Sequence, residues 1–483
     1  MAEGSSSNLY RNSAAAGISL NSTGESTLPR TASTHSFRAP FLSPASRPTS
    51  SLWSPPNYSG QLVQPGSSPN GSSTALPLKS RAPLPSTRLQ QKLEASDKPW
   101  LEKPDRAERL SWWITVACML LGIIGAAGLC YLGATEVKKL SDNQLCLVLD
   151  EEFNGDTLDD STWSRDIELG GFGNGEFQMT TNENTNLYIQ NSQLYIHPTL
   201  TTDDIPDLNL FSGNYTLQGC TTNNHTACST RANTALGAVI NPIRSARINT
   251  KGKKSIKYGK VEIRAKLPRG DWLWPAVWML PDQNTYGDWP LSGEIDILEA
   301  RGNSPSYPAQ GSNYVRSSLN YGPLPSLFRQ IFGWFSMKRS SFDKAFHTYA
   351  LEWDESFMRF YTDTRVTAML DLDLAGRKDG FWDRGQFPLT AQNGSAQVVV
   401  ENPWQGGGKN APYDQSFYLI IDLAAGGTSG WFPDGVGNKS WYDGSLTAMR
   451  DFARAQDTWS KTWPASAEDR SFRIDYVKMW KKC

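Results

Sequence analysis

Short runs of alternating apolar and polar residues fill the carboxyl-terminal part of the chain. Examples are NLYIQNSQLYIHP, YGKVEIRAKLP, QSFYLIIDLAAGG and RSFRIDYVKMW, which are separated by residues such as Gly, Asn and Pro. Side chains alternate between the two faces of a strand, so a period of two predicts strands with one buried face. Many short strands separated by turn residues are typical of an all-β sandwich. We predict such a sandwich for residues 146–483, with no internal repeats.

One stretch departs from this pattern. Ser111–Gly133 contains 23 consecutive residues without a charge, with aromatic residues near both ends. At about 1.5 Å per residue, a helix of this length spans the roughly 30 Å hydrocarbon core of a bilayer. We predict a transmembrane helix over residues 110–133 and a linker over residues 134–145, with a buried core helix as the alternative.

Residues 1–109 are rich in Ser and Pro and lack apolar periodicity, which predicts a disordered tail. No apolar segment follows the start Met, so the tail is not a signal peptide. Through Leu110 the chain has 12 Lys and Arg against 7 Asp and Glu, which leaves 35 against 41 in the rest. The tail carries either sorting signals and phosphorylation sites or serves as a plain tether.

Basic residues favour one orientation of the predicted helix. Four precede it within about a dozen residues and two follow it, which favours a cytosolic amino terminus. The expectation is a single-pass type II membrane protein of the secretory pathway or plasma membrane, with the sandwich lumenal or extracellular. The formal net charge of −1 gives no indication of nucleic-acid binding, and the four His are scattered and predict no metal cluster.

Glycosylation sequons and cysteines fit an oxidising compartment. Two of the six Cys lie in the predicted helix, and the remaining four allow three pairings. We favour Cys220–Cys228 as a loop clip and Cys146–Cys483 as a link between the first strand and the last residue, with free thiols as the alternative. Four sequons follow the helix, at Asn214, Asn224, Asn393 and Asn438, and three lie in the tail, at Asn21, Asn57 and Asn70.

Three carboxylates lie within six residues in SGEIDILEARGN, residues 292–303. Glu294 and Asp296 share one face of a strand, whereas Glu299 faces away unless an extra residue forms a β-bulge around 297–298. A helix would leave Glu294 and Glu299 roughly 140° apart. We predict a bulged strand. Its two Glu Cα atoms would still lie roughly 13 Å apart, so their side chains must converge on a curved strand.

Clustered carboxylates have a chemical use. Burial beside a like charge keeps one carboxyl protonated while another is ionised. Retaining glycoside hydrolysis needs that pair, an ionised nucleophile and a protonated acid about 5 Å apart. A solvated, charged edge strand is the alternative, but Trp272, Trp274 and Trp278 just upstream favour a carbohydrate cleft because flat aromatic faces suit sugar rings.

The same stretch resembles the catalytic signature of glycoside hydrolase family 16 in its laminarinase-like form. Other stretches resemble family blocks in family order over residues 146–483, among them LDEEFNGDTLDDSTW, GNGEFQMTT and FHTYALEW. The resemblance implies a jelly-roll sandwich of two curved antiparallel sheets that binds β-glucan and needs no cofactor. It implies Glu294 as nucleophile, Asp296 as its assistant and Glu299 as acid/base. Asp422 departs from the family, which commonly has Asn there.

The resemblance also implies further contacts. Asn174 and Glu176 belong to a block near the cleft, and Arg301 is placed to orient Glu299 or a sugar hydroxyl. His347 and Trp431 are candidate sugar contacts, with structural roles as the alternatives. Two acids match positions where family members often bind a structural Ca²⁺, namely Glu152 and Asp475. Tyr307–Ser341, apolar and basic together, is expected to pack on the sandwich as an inserted loop, with a lid, a membrane-grazing helix or an acceptor site as alternatives.

The predicted function is that of a membrane-anchored retaining β-glucanase or glucan transglycosylase in cell-wall assembly. The anchor and long tail resemble fungal cell-wall β-glucan synthesis proteins. A non-catalytic β-glucan-binding or scaffold protein is the first alternative. A membrane receptor that signals through the tail is the second.

Overall fold

The computed structural model describes residues 92–99, 105–374 and 380–483. Most of the tail predicted to be disordered, residues 1–91 and 100–104, lies outside the described residues. The long helix and the β-rich part of the chain are taken separately below.

Helix α1 extends over Arg106–Glu136, four residues earlier and three later than the predicted span. Its 31 residues give a length of about 46 Å. None of its side chains is buried, although the helix is apolar on all sides. A helix of that kind suits a surrounding apolar medium better than water, and α1 is long and apolar enough to cross a membrane.

The rest of the described chain is dominated by short strands. They are β1 (Leu145–Glu151), β2 (Ser164–Arg165), β3 (Glu168–Leu169), β4 (Gln178–Thr180), β5 (Leu187–Gln190), β6 (Gln193–Ile196), β7 (Thr199–Leu200), β8 (Asn214–Thr216), β9 (Ser229–Arg231), β10 (Ile243–Ser245), β11 (Arg247–Asn249), β12 (Ser255–Ile256), β13 (Gly259–Lys266), β14 (Leu273–Pro281), β15 (Glu294–Glu299), β16 (Tyr314–Tyr321), β17 (Arg329–Ser336), β18 (His347–Trp353), β19 (Phe357–Thr362), β20 (Ala368–Asp373), β21 (Thr390–Asn393), β22 (Ala396–Val399), β23 (Phe417–Ala425) and β24 (Phe472–Lys482). The short helices are α2 (Asp207–Ser212), α3 (Gly380–Gly385), α4 (Ala448–Arg454), α5 (Gln456–Trp459) and α6 (Ala467–Arg470).

Two large antiparallel sheets form a jelly-roll sandwich, as predicted. The front sheet has the order β17-β16-β15-β14-β23-β11-β2, with β12 also paired to β23. The back sheet has the order β20-β19-β18-β13-β24-β6-β5, with β1 also paired to β24. Neighbouring strands often come from distant parts of the chain, so the two sheets close around one core.

Three smaller sheets accompany the sandwich. The largest has the order β3-β4-β10-β7, and its β4 and β10 run parallel, which the antiparallel prediction did not include. The others are the hairpins β8-β9 and β21-β22.

The core lies between the two large sheets. Inner side chains of the front sheet, such as Val277, Ile295 and Leu319, belong to one buried cluster with Ile263 and Leu351 of the back sheet. Each of these five side chains is fully buried. On β15, Ile and Leu therefore face the core, and the acidic residues between them face outward. We call that outward side of the front sheet the acid face.

Two disulfides are formed, with the pairing that the sequence analysis favoured. Cys146–Cys483 joins β1 to the end of the chain, where Leu145 pairs with Lys482. Cys220–Cys228 closes a short loop between β8 and β9. The remaining two cysteines are free and exposed on α1.

Candidate active site

Strand β15 carries the predicted bulge. Asp296 lies opposite Trp278 and Leu298 lies opposite Val277, so Ile297 is an extra residue on β15. On the other side, Asp296 pairs with Ser318 and Glu299 pairs with Arg316. The extra residue reverses the alternation, and Glu294, Asp296 and Glu299 consequently share the acid face.

Strand β16 holds these three carboxylates together through two side chains. Asn320 Nδ2 donates to Glu294 Oε1 at 2.8 Å and to Asp296 Oδ2 at 2.7 Å. Ser318 Oγ donates to Asp296 Oδ2 at 2.6 Å and lies 3.1 Å from Glu299 Oε2. The convergence that an ideal strand would not give is thus achieved by shared hydrogen bonds to the neighbouring strand.

Two indole groups bind the outer carboxylates. Trp289 Nε1 donates to Glu294 Oε2 at 2.8 Å, and Trp274 Nε1 donates to Glu299 Oε1 at 3.3 Å. Both rings also stack on other aromatic side chains, Trp289 on Phe328 and Trp274 on Trp431. Because the indoles are fixed by packing, each Glu is held in a defined orientation.

The pKa values of Glu294 and Asp296 are both raised, but to different extents. Burial, followed by the charges of Glu294 and Glu299, raises the pKa of Asp296 well above its usual range, and its hydrogen bond to Glu294 acts in the same direction. Burial also raises the pKa of Glu294, but hydrogen bonds from Asn320 and from Asp296 oppose that rise. Of the two carboxyls, Asp296 therefore has the stronger tendency to keep its proton and Glu294 the stronger tendency to ionise.

Glu299 has a different environment. Its side chain is buried, and burial raises its pKa, while the positive charge of Arg316 opposes the rise. The site thus combines Glu294, whose ionised form is favoured by hydrogen bonds from Asn320, Trp289 and Asp296, with Glu299, whose protonated form is favoured by burial. This is the asymmetry that a nucleophile and a general acid require.

Trp431 covers the site from a loop after β23. Its ring stacks on Trp274 with centroids 4.8 Å apart and planes 10° apart. Arg301 holds this loop, since Nε donates to the carbonyl oxygen of Trp431 at 2.9 Å and the guanidinium lies 4.1 Å from the Trp431 ring centroid. Its donors go to the backbone of Trp431 and Gln310, and its charge lowers the pKa of Glu299, so a role in orienting Glu299 or a sugar hydroxyl stays a prediction. Burial lowers the pKa of Arg301 to about 10.

Three Trp side chains were predicted to bind sugar, and for Trp272 this prediction is wrong. Its side chain is only 2% exposed and packs edge-on against Tyr307, Phe432 and Trp441. It precedes β14 with a positive φ of 69°, so strand alternation does not set the direction of its side chain. Trp274 and Trp278 both lie on β14 on the acid face.

Trp278 connects the acids to Asp422. Its Nε1 donates to Asp422 Oδ1 at 2.7 Å, and Arg247 lies over its ring at 4.9 Å. Burial raises the pKa of Asp422 to about 6, against the opposing charge of Arg247. The residue that departs from the family pattern is thus a buried carboxyl on the acid face.

His347 does not belong to this face. It lies at the start of β18 in the back sheet, where Nδ1 is 2.9 Å from Asp363 Oδ2 and the ring packs on Phe342. The predicted sugar contact is therefore wrong, and the structural alternative describes this histidine. The sequence could not show which of the two sheets its strand joins.

Asn174 lies on an exposed loop before β4. Its backbone N–H donates to Glu176 Oε1 at 2.9 Å, and its carbonyl accepts from the N–H of Thr428 at 3.0 Å. This loop therefore contacts the segment that leads to Trp431. A sugar contact through the Asn174 side chain stays a prediction.

The two acids expected to bind Ca²⁺ do not form a cation site. Glu152 Oε1 is 2.5 Å from Lys478 Nζ, and Asp475 forms an ion pair with Arg264. Within residues 92–99, 105–374 and 380–483, no three His, Cys, Asp or Glu side chains come together as a metal site. Two carboxylates neutralised by separate basic residues do not fit a cation that needs six to eight oxygen ligands.

Tyr307–Ser341 is not a helix, and its larger part is not an inserted loop. It contains β16 and the edge strand β17 of the front sheet, which pair along their full lengths. Sequence reasoning therefore missed Arg316, Ser318 and Asn320 as residues of the site. Their polar side chains at every second position, directly after the acid stretch, were the available signal.

The four sequons that follow α1 are all exposed. Asn214 begins β8, and Asn393 ends β21 in a surface hairpin. Asn224 accepts hydrogen bonds from its own sequon residue Thr226, and Asn438 lies in the Trp431 loop region. All four side chains are therefore accessible for modification.

Comparison with known proteins places this site in a family. The model of glycosyl hydrolases family 16 matches residues 213–411, which include all three acids. A beta-1,3-glucan-binding protein of Penaeus monodon is 39% identical over 350 residues, which cover 70% of this chain and 90% of that protein. Glucan endo-1,3-beta-glucosidase A1 of Niallia circulans is 32% identical over 318 residues, which cover 64% of this chain but only 37% of that enzyme.

Among solved structures, the laminarinase of Rhodothermus marinus matches with a TM-score of 0.44 and 24% identity, over 70% of this chain and 98% of that chain.

Proposed function

The chain belongs to glycosyl hydrolases family 16, and on this premise we propose that it is a retaining enzyme acting on β-1,3-glucan. The observation that carries the proposal is the geometry of β15. Three carboxylates share one face, Ser318 and Asn320 connect them by hydrogen bonds, and burial raises the pKa of Glu299. Relatives with 32% and 39% identity, named as a glucan endo-1,3-beta-glucosidase and a beta-1,3-glucan-binding protein, support this linkage.

The proposed mechanism is a double displacement. Glu294 attacks the anomeric carbon while Glu299 protonates the departing glycosidic oxygen, which leaves a glycosyl ester on Glu294. Asp296 stabilises the ionised nucleophile through its hydrogen bond. Glu299, now ionised, takes the proton of the incoming acceptor, which attacks the same carbon and releases Glu294.

The acceptor decides the outcome of the reaction. With water the product is a shorter glucan, whereas with another glucan chain the product is a longer one. An enzyme fixed to a membrane beside the growing wall suits remodelling or assembly better than the digestion of soluble polymers.

We also propose that α1 spans a membrane, with the amino terminus cytosolic and the sandwich lumenal or extracellular. The exposed apolar helix, four basic residues before its uncharged stretch, and four accessible sequons and two disulfides after it support this topology. The anchor would keep the sandwich next to newly made glucan.

The test uses the full chain in detergent together with Glu294→Gln and Glu299→Gln variants. Each is incubated with a β-1,3-gluco-oligosaccharide, and product sizes are measured by mass spectrometry. We expect shorter or longer products from the parent protein. Loss of a general acid or nucleophile should lower the rate by at least about 10²-fold.

The rival function is non-catalytic β-glucan binding, which the Penaeus monodon relative favours by its name. If parent and variants all bind the oligosaccharide and none changes its length, the catalytic proposal is refuted and the binding function replaces it.

A further inference from the structure

The edge strand β17 presents two exposed aromatic rings on the acid face. Phe332 is 47% exposed and Trp334 is 49% exposed, while Ile331 before them and Phe335 after them pack against the core. Exposed aromatic residues on a sheet edge favour unwanted association, and proteins usually avoid them. Two exposed aromatic rings side by side on this strand therefore indicate a binding role.

The register places β17 next to the residues that contact the acids. Trp334 lies opposite Arg316, Phe332 lies opposite Ser318, and Gln330 lies opposite Asn320. Strands in a sheet are about 4.8 Å apart, so the rings lie about 10 Å from β15. A polymer bound at the acids therefore reaches the rings only if it extends beyond the unit that reacts.

Hydrogen bonds and packing connect the rings to the acids without a gap. Gln330 Nε2 donates to Asn320 Oδ1 at 2.9 Å, and Gln330 Oε1 accepts from Arg316. The Arg316 guanidinium lies over the Phe332 ring, 3.9 Å from its centroid. Polar groups that bond hydroxyls thus alternate with flat apolar faces, which is the composition of a sugar-binding surface.

The two rings pack on each other, on a strand whose backbone lies close to the back sheet. Their centroids are 6.0 Å apart and their planes 29° apart. Gly333 between them approaches β20 of the back sheet so closely that a Cβ would lie 1.9 Å from the carbonyl oxygen of Met369. A preformed surface of this kind binds without the entropy cost of ordering it.

We propose that Phe332, Trp334, Arg316 and Gln330 form a second binding surface for the glucan chain, which holds units beyond those at the reacting bond. We call it the β17 platform. The identity of the ligand rests on the proposed function, whereas the existence of the platform rests on the surface itself. It makes the protein selective for long chains.

The test measures binding in the Glu294→Gln background of the full chain in detergent, so that turnover does not interfere. The variants are Phe332→Ala/Trp334→Ala, the conservative Trp334→Phe, and Trp480→Ala as control. Trp480 lies on the back sheet beside Lys260, away from the acid face. Calorimetry gives the affinity for a trimer and a hexamer of β-1,3-linked glucose.

We expect the double alanine variant to lose about tenfold or more in affinity for the hexamer, the cost of removing aromatic anchors, and to bind the trimer unchanged. Trp334→Phe and Trp480→Ala should retain hexamer affinity. If the double variant loses this preference for the hexamer while the unmodified chain never cleaves glucan, the platform is upheld and only the catalytic proposal is refuted.

Three results would overturn the platform. The double variant binds the hexamer as tightly as its parent, or it loses affinity for both oligosaccharides equally, or a dimer of the parent dissociates in the variant while oligosaccharide affinity stays constant. The last result would assign the rings to a contact between two copies of the chain.

Discussion

At the residue scale, Arg316 sets the charge environment of the proposed acid. Burial raises the pKa of Glu299 and the nearby Arg316 charge lowers it, so removing that charge should raise the pKa of Glu299 further. The acid works only when protonated, and activity is lost as the pH rises through that pKa. Arg316→Gln should therefore move the alkaline limb of the pH–kcat/KM profile to higher pH. Because Arg316 transfers no proton, the maximal rate should fall by about tenfold or less, below the cost of losing a general acid.

The control for this prediction is Arg264→Gln, which removes a positive charge from the back sheet, where Arg264 pairs with Asp475. Its profile should match that of the parent. An alkaline limb that stays in place in Arg316→Gln would mean that a group other than Glu299 titrates there.

Asp422 makes stability depend on pH. Burial raises its pKa to about 6 from 3.8, so between about pH 4 and pH 6 the folded state binds more protons than the unfolded state. Stability consequently falls as the pH rises through that window. Asp422→Asn removes the penalty and should raise the free energy of unfolding at pH 7 by at most about 3 kcal/mol, with no gain at pH 4. Chemical denaturation at both pH values measures the difference.

The gain in stability from Asp422→Asn is limited because Arg247 loses one of its charged partners in this variant. It keeps Asp166, whose Oδ2 lies 2.9 Å from its Nε, and Glu168 at 3.8 Å. Asp166→Asn is the matched control and should not stabilise the protein at either pH. If Asp422→Asn is equally destabilising at pH 4 and pH 7, the carboxylate is ionised in the folded state throughout that range.

At the element scale, β17 and β20 close one side of the sandwich at Gly333. A Cβ at this position would lie 1.9 Å from the carbonyl oxygen of Met369, and a backbone atom cannot move aside as a flexible side chain can. Gly333→Ala should therefore cost about 1–3 kcal/mol of unfolding free energy, as overpacking usually does. Gly406→Ala is the control, since nothing lies within 4 Å of its added Cβ. Equal stability of the two variants in denaturant unfolding would show that the sheets separate there at little cost.

Some features of these strands could be predicted from the sequence, and others could not. The alternation of apolar residues and the offset of Glu299 indicated a bulged strand because both depend on neighbours along the chain. The position of β17 beside β16, and of His347 in the back sheet, depends on pairing between distant segments. Trp272 was misjudged because a backbone turn before β14 directs it into the core, whereas Trp274 two residues later faces the acids.

At the scale of the whole molecule, one fixed frame supports the site. The front sheet contributes β14, β15, β16 and β17 as consecutive neighbours, so residues on four strands meet on one face. The Cys146–Cys483 disulfide joins the first strand to the last at the back sheet, and the sandwich is closed there by a covalent bond. The three carboxylates therefore lie on a strand paired on both sides, while Trp431 lies on a loop held by Arg301.

The orientation of the molecule in a membrane is open to a direct test. Oligosaccharide transfer to Asn-X-Ser/Thr occurs on proteins that enter the secretory route, and only segments on the lumenal side are reached. With the proposed topology, the full chain made in a eukaryotic cell should carry glycans at one or more of the four exposed sequons of the sandwich. The three sequons of the tail should carry none. Peptide mapping by mass spectrometry after glycosidase treatment identifies the modified asparagines.

The excess of basic residues before the apolar stretch should determine which sequons carry glycans. Replacing Arg106 and Arg109 with Gln leaves two basic residues before the apolar stretch, Lys98 and Lys103, and two after it, Lys138 and Lys139. Because the excess of Lys and Arg on the cytosolic side sets orientation, we expect a measurable fraction of this variant to carry tail glycans in place of sandwich glycans. Tail glycans on the parent protein would reverse the proposed topology. They would place the acids of β15 in the cytosol, away from any extracellular glucan.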